Sequence, residues 1–229
     1  MSNNKLEQYK SELFENKAFE DKNLLVLNKP TNLAVQGGSK ITISLDKILN
    51  FNSEIKYRLL HRIDKDTSGL ILLAKNEKYA KIISNNFKNR QIEKTYLTIV
   101  VGKPPKRFGS INIPIKTENS VAQRAETKYE IIDNLANELA FIAAYPVTGR
   151  KHQIRIHLNK IDCPILGDGK YGGKRAFKNN LSNKIHLHNY RMTIPNYYGK
   201  KPLNLKAKLP KLFRSTMDDL GFDERLLDI

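Results

Sequence analysis

Short apolar runs separated by turn residues, with amphipathic stretches between some of them, predict an α+β chain whose strands pair largely antiparallel. Three observations carry this expectation. Asn23 to Leu27, Leu70 to Leu73 and Lys94 to Val101 are apolar or β-branched runs of strand length. Residues 110–114, 122–133 and 138–146 then follow one another across short turns, which is how antiparallel rather than crossover-linked strands are connected. Between these runs, Glu77 to about Arg90 repeats Tyr79, Ile82, Ile83 and Phe87 at helical spacing, with lysines on the other side.

Taken in order, residues 1–17 read as a helical or loosely ordered lead-in without a fixed pattern. The strand Asn23–Leu27 is stopped by Asn28-Lys29-Pro30, and Leu33 to Gly38 gives an extended piece ending in a double-glycine turn. Ser44 caps a brief helix to Leu49, and Asn76 caps the helix that starts at Glu77. Between them, the apolar runs Tyr57–Leu60 and Leu70–Leu73 flank the polar insert His61-Arg62-Ile63-Asp64-Lys65-Asp66-Thr67-Ser68-Gly69, a strand–loop–strand pattern. Strand-borne loops are where proteins place chemistry. After Lys94–Val101, a Pro-rich loop holds Lys103, Lys106 and Arg107. Thr148-Gly149 reads as a turn before a helix from about Lys151, although Ile154, Ile156 and Leu158 also alternate as a strand would. Pro164 to Gly173 is a Gly-rich loop. Residues 185–188 and 192–194 return to strand pattern, and a basic segment from Lys200 to Arg214 leads to a last helix ending at Leu226-Leu227. No internal repeat or low-complexity linker divides the chain, so one domain is expected.

Composition narrows the function. Across 229 residues, 40 Lys and Arg stand against 23 Asp and Glu, a net charge of +17. Such an excess points to a polyanionic partner. No apolar run approaches the length of a membrane span, and the charged start does not resemble a secretion signal. Nucleic acid is therefore favoured over a membrane surface. The lone Cys163 excludes an internal disulfide and reads as a small buried apolar side chain.

The chemistry-bearing candidates are weighed against plainer roles. His61, His152, His157, His186 and His188 match no metal-ligand spacing, so they are expected to brace loops and no metal is expected. Ser68 lacks the GxSxG elbow of a serine nucleophile. The glycines of 164–173 lack the order of an NTP-binding loop, and no nucleotide cofactor is indicated. Asp64 beside Asp66 could make a carboxylate pair. In a chain so rich in cations, an Asp opposite an Arg is the better expectation.

Taken together, the motifs resemble the RluA-type pseudouridine synthases. The resemblance rests on Asn28-Lys29-Pro30, His61-Arg62-Ile63-Asp64 through Thr67-Ser68-Gly69, Lys94-Thr95-Tyr96, Thr148 through Arg155, Pro164 through Asp168, and Leu187-His188. It spans about residues 20–210 in the family's order. It implies an α+β fold: a long, mixed, mostly antiparallel sheet with helices and loops flanking a central cleft that contains Asp64. It also implies a cofactor-free isomerisation in which uracil is detached from ribose at N1 and rejoined through C5. Asp64 would be the catalytic aspartate, Arg155 its ion-pair partner and Tyr96 the ring against the target base. Arg62 would enter the space the base vacates. Arg150, Lys151, His61, Thr67, Gln153 and Lys29 complete the expected substrate- and RNA-binding set.

Val35-Gln36-Gly37-Gly38, Lys65-Asp66 and Lys170-Tyr171-Gly172-Gly173 look most like the RluC branch, which modifies bacterial large-subunit (23S) rRNA. The alternatives are a short RluA-like enzyme acting on tRNA as well, or a non-catalytic RNA-binding protein on the same fold. Residues 1–17 are too few for the small N-terminal RNA-binding domain of many relatives, so residues 18–229 are expected to be the catalytic domain. A cytoplasmic monomer is expected. Ile63 for Leu and Asn189 for Ala depart from the family pattern, and neither is expected to touch the chemistry.

Overall fold

A computed structural model describes residues 3–38, 41–116, 121–178, 180–199 and 201–227, with side chains from Leu6 onward. The first two residues of the lead-in and Lys200 of the basic segment lie outside the described residues. The chain groups into two compact units, each assembled from two stretches. Residues 1–93 and 189–208 form the first, and residues 94–188 and 209–229 form the second.

The first unit opens with α1 (Asn3–Glu15) and two short strands, β1 (Lys17–Glu20) and β2 (Leu24–Lys29). β2 carries four consecutive buried aliphatics, Leu24 to Leu27, as a strand covered on both faces does. α2 (Leu45–Asn50) begins where expected. The Ser44 hydroxyl accepts from the Lys47 N–H at 3.4 Å and the Ser44 backbone is extended. β3 (Arg58–Leu59) and β4 (Ser68–Ala74) enclose the polar insert and pair antiparallel, Arg58 opposite Ala74 and Leu59 opposite Leu73. On its other side β4 pairs with β2, bringing Lys29 opposite Gly69. α3 (Glu77–Lys88) is capped by the Asn76 side chain, which accepts from the Tyr79 N–H at 3.0 Å. Its packed face is Tyr79, Ile83 and Phe87, strictly four apart, and Ile82 is exposed. That stripe is narrower than the sequence expectation, because only one helix edge meets the aliphatics of β2 and β4.

The second unit has the strand order β5-β8-β7-β6, from β5 (Glu93–Val101), β6 (Phe108–Ile111), β7 (Thr127–Leu135) and β8 (Leu139–Pro146). All three pairings are antiparallel. α4 (Gln153–Lys160) is a helix, so the alternating apolar pattern there does not make a strand. Ile154 and Leu158, one turn apart, pack with Val100, Ile142 and Ile165. Inside the Gly-rich loop, Asp168 caps the one-turn helix α5 (Gly169–Gly172), an element the glycines concealed. Cys163 is buried in this core, and burial pushes its thiol up to about 11, which suits the inert role expected of it.

β9 (Leu187–Ile194) carries the chain from the second unit back to the first, where β10 (Leu203–Lys206) pairs with it. The chain then returns to the second unit as α6 (Lys211–Leu220), whose Phe213 and Met217 are buried, Phe213 against Phe141. The predicted last helix stops at Gly221, in the left-handed conformation, and Glu224–Leu227 is a separate 3-10 turn. The result is an α+β fold.

Candidate active site

In the first unit, four internal contacts hold the Asp64 loop. The Thr67 N–H donates to the Asp64 carbonyl at 3.1 Å, closing a turn around Lys65 and Asp66. Gly69 ends the loop at φ +109°, and a β-carbon there would lie 2.3 Å from the Asn189 carbonyl oxygen, so glycine is required. Asn189 also donates its side-chain amide to the Leu70 carbonyl at 2.8 Å. This departure from the family pattern therefore packs directly on the strand that carries the loop. His61 Nε2 accepts from the Leu72 N–H at 3.1 Å while its ring lies 4.9 Å from that of Phe87. An accepting Nε2 is unprotonated, so His61 is read here as a neutral brace.

Lys29 supplies the fourth contact. Its side chain is 0% exposed, and Nζ donates to the carbonyls of Pro30 (2.8 Å), Leu33 (2.8 Å) and Lys65 (3.2 Å). The last of these ties the end of β2 to the Asp64 loop. Burial pushes the Lys29 amine down from 10.5 to about 7, against the pull of Asp66 and Asp64. Within the loop, Ile63 points inward, Arg62 and Lys65 outward, and Asp64 is half-buried. Arg62 Nη1 donates to Gln36 Oε1 at 3.3 Å.

In the second unit, Tyr96 lies half-buried on β5 opposite Ala144. Arg155 is buried in the first turn of α4 and grips Asp168, with Nε on Oδ2 and Nη2 on Oδ1, both at 2.8 Å. Its guanidinium carbon lies 5.1 Å from the centre of the Tyr171 ring, whose hydroxyl meets His152 Nδ1 at 2.6 Å. The fork with Asp168 uses two of the five N–H groups of the guanidinium, so the group can serve a second acceptor.

The helix bearing Arg155 is itself anchored by a buried polar chain. Gln153 accepts from the Thr148 hydroxyl (2.6 Å) and the Arg150 N–H (3.0 Å), and donates to the Glu126 carbonyl (2.9 Å) and Thr127 Oγ1 (3.0 Å). Thr127 Oγ1 in turn meets His157 Nδ1, and His157 Nε2 meets the Ile113 carbonyl, both at 2.9 Å. Burial lowers the His157 pKa, consistent with a neutral ring in this chain.

Of the expected RNA-binding residues, Lys29 and Gln153 place their side-chain polar groups on partners inside the protein. Thr67 is likewise buried. Arg62 and Lys151 are exposed, and half-buried Arg150 donates from Nε to the Arg124 carbonyl at 3.2 Å. The sequence reading missed Asp168 as the partner of Arg155, although the Gly167-Asp168 step was in view.

With this geometry described, comparison with known proteins decides the family. The model of the RNA pseudouridylate synthase family matches residues 23–160. The chain belongs to this family. It is therefore an enzyme, an isomerase that makes pseudouridine in RNA. The ribosomal large subunit pseudouridine synthase C of Rickettsia bellii is 38% identical over 208 residues, covering 85% of this chain and 68% of that protein. The human mitochondrial pseudouridylate synthase RPUSD4 is 30% identical, covering 89% and 68%. A solved structure of human RNA pseudouridylate synthase domain containing 4 superposes with a TM-score of 0.81 at 29% identity, covering 96% of this chain and 98% of that one.

Proposed function

We propose that this pseudouridine synthase isomerises specific uridines of bacterial 23S rRNA in the cytoplasm, with Asp64 as its catalytic carboxylate. The observation that carries this reading is the Asp64 loop, whose backbone is held by Lys29, Thr67 and the Gly69–Asn189 approach while Asp64 itself lies half-buried on it. The likeness to Rickettsia proteins named for the large ribosomal subunit supports the choice of RNA.

The target uridine leaves its stack, at a cost of a few kcal/mol, and enters the site. Tyr96 packs against its base and Arg62 fills the space it left, as flat side chains do in RNA recognition. Asp64 then acts at the sugar. Attack on C1′ and removal of the C2′ proton both require an ionised carboxylate, and both break the N1–C1′ bond. The free uracil turns and C5 bonds to C1′ as the carboxylate–C1′ bond breaks on the first route, or as the C2′ proton returns on the second; the C5 proton is then lost and N1 gains a proton, so the product is an isomer. Arg155, held by Asp168, supplies positive charge to the reaction, and Arg150 and Lys151 meet phosphate.

The test is site-resolved pseudouridine mapping on unmodified 23S rRNA incubated with the purified protein, with Asp64→Asn alongside. New pseudouridine at a few fixed positions, lost in the variant, is the expected result. Modification that persists with Asp64→Asn removes Asp64 from the chemistry, and modification of tRNA alone removes the rRNA assignment.

A further inference from the structure

We propose that the solvent face of the β6–β7 ribbon is a second RNA-binding surface, on which Phe108 is a stacking platform for an unpaired base. This deepens the functional reading above and rests on it.

Among the described residues β6 pairs only with β7, and is therefore an edge strand. The register sets Phe108 opposite Glu130 and Ser110 opposite Lys128, so these four side chains share one face. The other face is core. Ile111, Tyr129 and Ile131 are buried there, and Gly109 leaves room for the Tyr129 ring, which a β-carbon would meet at 2.4 Å. Phe108 therefore occupies an outward position of the strand and is 59% exposed. A large aromatic facing water on an edge strand serves no packing purpose and leaves apolar area open to a partner.

The charge around it selects the partner. The loop entering β6 presents exposed Lys103, Lys106 and Arg107, and Lys128 is exposed across the ribbon. The Arg107 guanidinium carbon lies 5.3 Å from the centre of the Phe108 ring, and its Nη2 is 3.7 Å from Glu130. Pro104 and Pro105 restrict the backbone of that loop, which lowers the entropy lost when its cations meet a ligand. An exposed ring with a guanidinium over it and lysines around it is the arrangement that stacks bases and tracks phosphates in single-stranded nucleic acid. A protein strand docking on this edge would draw no benefit from the cluster of Lys103, Lys106, Arg107 and Lys128.

The experiment uses the full chain with an in vitro transcript of 23S rRNA and compares wild type, Phe108→Ala and Phe108→Trp. The expected result is that Phe108→Ala raises both Kd and KM about tenfold while kcat at saturating RNA stays within about twofold. Phe108→Trp, which keeps the stacking surface, is expected to restore binding. Transcripts carrying 4-thiouridine should photo-crosslink to the peptide containing Phe108. Unchanged Kd and KM for Phe108→Ala, beside an active wild type, overturn this surface and leave the functional reading intact. Phe108→Ala that converts a dimer of the free protein to a monomer makes the face an interface between copies, and also overturns it. Wild-type protein that binds the transcript but forms no pseudouridine on it sinks the rRNA assignment, while weakened binding by Phe108→Ala would still support the platform.

Discussion

Position 29 joins a charged side chain to complete burial. Its ammonium satisfies three carbonyls at the price of desolvation, and that conflict is visible in the amine's fall to about 7. The pH consequence has a definite sign. Between about pH 7 and 10.5 the unfolded chain holds a proton at Lys29 that the folded chain has lost, so stability rises with pH across that window. The contribution of this one group approaches about 1.4 kcal/mol per pH unit. Chemical denaturation of wild type and Lys29→Met at pH 7 and pH 9 should show that increment in the wild type alone. Equal pH dependence in both would mean the ammonium is retained through the window. The sequence marked Asn28-Lys29-Pro30 as part of the site, but a lysine looks the same in sequence whether it points to phosphate or to three carbonyls.

At the scale of elements, the caps were legible because capping is local. Ser44 and Asn76 act within three residues, and both helices start where their side chains predict. β1 and β10 were missed because Lys17–Glu20 and Leu203–Lys206 are too short to show a period of their own. β2 and β9 supply the hydrogen bonds that define them. α4 shows the opposite case, in which two periods coexist in 154–158 and the tertiary contacts of His157, Gln153 and Arg155 select the helix. The Arg155–Asp168 pair couples this helix to the cap of α5, and it makes a prediction about elements rather than single groups. Asp168→Ala removes the bidentate partner of a buried guanidinium and should cost about 3–5 kcal/mol in urea unfolding. The double replacement Arg155→Met with Asp168→Leu should recover most of that stability while leaving no detectable pseudouridine formation. Recovered activity in the double variant would remove Arg155 from the chemistry.

At the scale of the whole molecule, the net charge of +17 is the feature that acts at a distance. Binding to single-stranded RNA should weaken with salt, log Kd rising against log salt by roughly 4–7, which corresponds to about six to ten phosphates at about 0.7 each. A slope near zero in a filter-binding titration would mean that phosphate contacts do not carry the affinity. The sequence by itself determined the polyanionic partner, the loop that bears Asp64, the caps and the order of most strands, because composition and local periodicity are properties of neighbouring residues. Only the tertiary structure decided that Lys29 and Gln153 face inward, that Asp168 is the partner of Arg155, and that Phe108 faces water. It also decided that residues 189–208 join the unit begun by residues 1–93. Each of these depends on what packs against a residue from far along the chain, and burial, unlike residue type, is not written at the position itself.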